Sequence, residues 1–183
     1  NRPLQTVVRA ETVGKNAFGE GYTTTSVTIY SYHDLKTAPH NVLGEIRSAF
    51  TSSTTKGWDI WGAEYTTRSM TTYVLEHNRP LQSKVTAITQ GKNLFGEYYR
   101  TVSTTDYTYK TTTDARFIDK MDDGTPILTI LYGAIATAKT TSNTIGWDIW
   151  GAKYTTDSTT YYRIEHNRPL QTVVRAETVG KNA

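Results

Sequence analysis

The chain has 183 residues, a formal net charge of +3 and no cysteine, which excludes disulfides and thiolate metal sites. Its Lys and Arg residues stand singly among Asp and Glu, so the clustered basic patch that a nucleic-acid partner requires is missing, and no such partner is expected. No run of 18 or more apolar residues occurs, so no transmembrane helix is expected either.

In chain order, the first signal is a repeat. Residues 1–17, NRPLQTVVRAETVGKNA, recur letter for letter at 167–183, an offset of 166 residues. A diverged copy, NRPLQSKVTAITQGKNL, occupies 78–94. Leu4, Val8 and Ala10 share one face of a strand, as do Leu81, Val85 and Ala87. Gly14 to Glu20 and its copy Gly91 to Glu97 read as turns, each with two glycines able to take positive φ. Long strands follow, Tyr22 to Tyr32 and Tyr98 to Lys110.

The next stretch differs between the copies. Val42, Leu43, Ile46 and Phe50 fit a short amphipathic helix. The counterpart after Pro126 reads as a buried strand, and strand is favoured for both because equivalent copies should share a fold. Asp122 to Pro126 reads as a turn, and Asp114, Asp119, Asp122 and Asp123 do not fit the EF-hand calcium loop; a solvated turn is expected, with a loose calcium site as the alternative. GWDIWGAEYTT at 57–67 and GWDIWGAKYTT at 146–156 alternate two residue sets, the periodicity of a strand. A hairpin tip is then expected at Arg68-Ser69, and at Asp157-Ser158 in the partner. Met70 to His77 returns as a strand, and Asn78-Arg79-Pro80 makes an edge, bulge or bend, because proline has no N–H to give a ladder.

The expected fold is therefore all-β: antiparallel meander sheets, sandwich or barrel-like, in two related half-repeats of a tandem array. The first half-repeat is 1–77. The second, 78–166, is longer by 12 residues falling between Thr104 and Ile145, and 167–183 begins the next repeat. The chain opens at Asn1 inside a repeat, with no signal peptide or initiator Met, as expected of a mature or excised piece of a longer protein. The hydrophobic fraction, 37%, lies below the roughly 45–50% of globular domains. Threonine fills the gap, and its stiff branched side chain suits a strand with one wet face. Such a Thr- and Tyr-rich composition points to exposed sheets, with an extracellular or cell-surface location. In general style the repeats resemble tandem β-domains of surface adhesins and fibres, with no motif specific enough to assign residues.

Candidate chemistry centres on Trp58, Asp59 and Trp61 and their copies Trp147, Asp148 and Trp150. On a strand the two indoles of each set would point to opposite faces. An exposed indole can stack on a pyranose while the carboxylate accepts hydroxyl hydrogen bonds; equally, the indoles can serve core or inter-repeat packing. His77 and His166 each follow a Glu, but adjacent strand residues diverge, so no metal site or general base is assigned there. His33 and His40 have no counterpart in the other half. Catalytic motifs are absent and no cofactor is expected. Three functions compete. The leading one is a structural unit of a fibre or adhesin that is not an enzyme, partnering itself through Asn1, Arg2, Pro3, Leu4 and their copies Asn167, Arg168, Pro169, Leu170. The second is a multivalent carbohydrate-binding protein. The third is a pore-forming β protein, disfavoured because polar residues fall on both faces of its strands.

Overall fold

The computed structural model describes residues 4–33, 44–76, 78–110, 115–120, 126–130, 133–165 and 168–181. Eleven strands form, and no helix is present among the described residues: β1 (Val7–Lys15), β2 (Gly21–Tyr32), β3 (Ile46–Trp58), β4 (Glu64–Glu76), β5 (Arg79–Lys92), β6 (Tyr98–Tyr109), β7 (Ala115–Lys120), β8 (Pro126–Ile130), β9 (Ile135–Trp147), β10 (Lys153–Glu165) and β11 (Arg168–Lys181). Nine of them make one antiparallel sheet in the order β1-β2-β3-β4-β5-β6-β9-β10-β11. The remaining pair, β7 and β8, is a separate hairpin within the β6–β9 connection.

The all-β meander is as the sequence predicts, but its closure is not. The nine strands form a single layer whose two edges, β1 and β11, each have one neighbour, rather than a barrel or two facing sheets. Among the described residues the only buried side chains are Ala49, Ala138 and Thr71. The sheet is therefore held sideways, strand to strand, and not by a hydrophobic core.

Those sideways contacts fall into ranks that cross every strand. One rank runs Gly14, Tyr22, Gly57, Tyr65, Gly91, Tyr99, Gly146, Tyr154, Gly180. Each tyrosine ring lies on the glycine of the strand before it, so a Cβ added at Gly14, Gly57, Gly91 or Gly146 would fall inside the ring. The next rank on the same face is threonine at all nine strands, from Thr12 and Thr24 through to Thr156 and Thr178. Its hydroxyls pair across strands, as in Thr24–Thr55 at 2.8 Å, Thr67–Thr89 at 2.9 Å and Thr101–Thr144 at 2.8 Å. A third rank holds only Ser and Ala, and a fourth only Thr and Val. Cross-strand pairs of this kind each contribute roughly 0.2–1 kcal/mol.

Two corrections to the sequence reading concern turns. Gly57 to Thr67 is not one strand: β3 ends at Trp58, the chain turns over 59–63, and β4 begins at Glu64. Arg68 and Ser69 lie inside β4, and Asp157 and Ser158 inside β10, rather than at hairpin tips. Pro80 is the second residue of β5, opposite Leu75, where a missing N–H is tolerated near the strand start. The bend belongs to Asn78, which takes φ 60° and accepts a hydrogen bond from the Ile46 N–H at 2.6 Å. Of helix and strand, the two forms the sequence leaves open for the stretch after β2, strand is favoured, and Ile46 and Phe50 do lie in strand β3; Val42 and Leu43 fall outside the described residues.

The ring-on-glycine rank makes a paired prediction. Gly57→Val should lower stability by about 1–3 kcal/mol, because its side chain would occupy the place of the Tyr65 ring. Gly180→Val, in the same rank but with nothing over it, should change stability by less than about 0.5 kcal/mol. Urea unfolding of the two variants beside the parent measures both.

Candidate functional site: the loop tips and the neutral face

Four hairpin turns lie at one end of the sheet, joining β1–β2, β3–β4, β5–β6 and β9–β10. All four share one construction. Oδ1 of Asn16 accepts hydrogen bonds from the Phe18 and Glu20 N–H groups, both at 3.0 Å. Asn93 does the same for Phe95 and Glu97, at 3.0 and 2.9 Å. Asp59 holds Trp61 and Ala63 at 2.8 and 2.9 Å, and Asp148 holds Trp150 and Ala152 at 2.9 and 2.7 Å. A glycine at positive φ closes each turn: Gly19, Gly62, Gly96 and Gly151. No other residue takes that conformation without strain.

This construction separates the two tryptophans of each motif. Trp58 stays on the strand, its ring over Gly21. Trp147, its copy, sits 5.7 Å from the Tyr98 ring, with the Lys153 ammonium 5.8 Å from its centroid. Trp61 and Trp150 ride on the turns and are 67% and 81% exposed. Phe18 and Phe95 hold the same place in the other two turns, 81% and 76% exposed. The four aromatic tips therefore stand in a line, each two strands from the next, about 10 Å by ordinary strand spacing. A cleft between two of them is lined by Asp59, Trp61, Asn93, Leu94 and Phe95. In both motifs the carboxylate Oδ1 is engaged by the turn itself, the role Asn16 and Asn93 play elsewhere.

The residues expected at inter-repeat contacts divide. Asn1, Arg2, Pro3 and Asn167 lie outside the described residues. Leu4 precedes β1 and is exposed. Arg168, Pro169 and Leu170 open β11 and pair with Glu165, Ile164 and Arg163 of β10. His40, His77, His166, Asp114, Asp122 and Asp123 fall outside the described residues; Asp119 lies in β7. His33 follows β2, and its Nδ1 is buried without a hydrogen-bond partner among the described residues.

The feature that sequence reading missed is the neutral face. The four ranks of Gly/Tyr, Thr, Ser/Ala and Thr/Val contain no charged residue at any strand. Arg9, Glu11, Lys56, Arg68, Arg100 and Asp157 are all on the opposite face, since alternate residues of a strand point opposite ways. Tyrosine hydroxyls on the neutral face feel one another. Burial raises the pKa of Tyr99, helped by Tyr65 and Tyr154 in its rank. Burial also raises Tyr107 and Tyr109, with Tyr162 and Tyr107 as the respective neighbours.

No protein family, curated protein or solved structure matches this chain. The fold and site define it as a single-layer antiparallel β protein with one uncharged face and a line of aromatic loop tips.

Two predictions follow from this geometry. Asp59→Ala should cost about 0.5–2 kcal/mol, the ordinary loss for a side chain that holds backbone N–H groups, while Asp59→Asn should be nearly neutral. Denaturant midpoints of the two variants check this. The tyrosine shifts set an alkaline limit. A raised folded pKa means that the folded sheet keeps its phenol protons when the unfolded chain loses them near pH 10.0. Stability is thus full below that pH and falls as pH rises through the folded values. Thermal melting and phenolate absorbance, followed together across this range, should change in step.

Proposed function

We propose that the chain is a structural repeat unit of an extracellular or cell-surface fibre or adhesin, assembling through end-to-end β-sheet contacts. The supporting observation is the fate of the three copies of one strand. β5 has neighbours on both sides, β4 and β6. Its copies β1 and β11 stand at the two open edges: β1 has β2, the copy of β6, on one side, and β11 has β10, the copy of β4, on the other. The outer edge of β11 is thus shaped to take a β2-type strand, and that of β1 to take a β10-type strand. Either the next repeat of a longer chain or a strand exchanged from another copy would extend the sheet without changing its register. Open edges of this kind are templates for addition.

A second reading, multivalent carbohydrate binding, has one observation in its favour: Trp61 and Trp150 present exposed indoles at equivalent tips. Loss of glycan retention in Trp61→Ala/Trp150→Ala, with folding intact, would support it.

Eight strand-to-strand steps lead from β1 to its copy β11, so one period should advance about 38 Å along the sheet. Electron microscopy of native material should show filaments with that axial repeat. Compact particles that never elongate would reject the structural reading.

A further inference from the structure

We infer that the neutral face is a docking surface for the same face of a second copy of this chain, so that the assembled fibre is two sheets thick. This rests on the self-assembly proposed above and adds a contact that the sheet edges do not provide.

The first argument is area. The chain exposes 13166 Å². A compact monomer of 20.5 kDa would expose roughly 8,900 Å², leaving an excess of about 4,300 Å². The four complete ranks measure about 38 by 20 Å from strand spacing and rise, or about 800 Å² on each copy. That is the size of a standard stable interface, near 1,600 Å² in total. The second argument is charge. A face with no Lys, Arg, Asp or Glu in four ranks over nine strands meets its own copy without leaving an ion unpaired, whereas the opposite face carries both signs. Shape is the third. Gly, Ala, Ser and Thr keep the ranks low, and tyrosine rings laid on glycines add breadth without height. Low ranks of small residues allow two sheets to approach and interdigitate at about 10 Å.

Sedimentation velocity over a range of concentrations tests the contact. The unmodified chain should be a dimer or larger, with a melting temperature that rises with concentration. Ala87→Lys places a charge at the centre of the Ser/Ala rank without deleting a side-chain hydrogen bond; it should raise the dissociation constant about a hundredfold or more. Thr86→Lys, the adjacent residue on the other face, should dimerise as the parent does. A folded parent that stays monomeric at every concentration overturns the inference, and so does an Ala87→Lys chain as dimeric as Thr86→Lys. A monomeric parent retained on microcrystalline cellulose also overturns it, transferring the face to a neutral glycan. Filaments one sheet thick that keep the axial repeat overturn the stacking and leave the edge assembly standing. Two-layer dimers that never elongate support the stacking and reject the edge assembly.

Discussion

A tyrosine ring lying on the glycine of the preceding strand is the contact on which the rest of the sheet depends. Each Gly–Tyr pair is separated by the same number of residues, from Gly14 to Tyr22 and from Gly146 to Tyr154, and the turn fits inside that interval. A slip of one residue would bring the ring against a side chain and turn every residue to the wrong face. Only glycine leaves room for the ring, so the pair fixes register without a core to enforce it. Threonine, serine and alanine then line up across the strands because the Gly–Tyr rank has aligned them.

The result is a nearly one-dimensional architecture. Each strand relies on its two neighbours, and hydroxyl pairs such as Ser53–Ser69 and Ser142–Ser158, both at 2.7 Å, repeat along the sheet. Stability in such systems is approximately a sum of unit and nearest-neighbour terms, so it grows with length, and the ends are the weakest part. That property suits a fibre. It also makes the polar ladder count for more than in a two-layer protein, where a hydrophobic core outweighs it.

Much of this was legible in the sequence, and the misreadings have a physical cause. The repeat, the β class and the turns after Lys15 and Lys92 are visible because glycines punctuate them, but of the two glycines read in each turn only Gly19 and Gly96 take positive φ, while Gly14 and Gly91 lie in strands. The same turn at Asp59 is masked by tryptophan and isoleucine, whose alternation imitates a strand. Aligning Gly57-Trp58-Asp59-Ile60-Trp61-Gly62 with Gly91-Lys92-Asn93-Leu94-Phe95-Gly96 exposes it, since Asp and Asn hold the same two N–H groups. The neutral face was hidden for a different reason. Charges are spread evenly along the chain, and only strand register reveals that they all avoid the same ranks. Whether a meander closes or stays open is not encoded in any one strand, and here the single layer had no local signature.

The central claim is that β1 to β6 and β9 to β11 form one continuous sheet, held strand to strand. Amide hydrogen exchange tests it most directly. The account predicts protection that is greatest in β4, β5 and β6, declines toward β1 and β11, and shows no step where β4 passes into β5. Two separately protected blocks divided near residue 78, or edge strands protected as strongly as the centre, would contradict it.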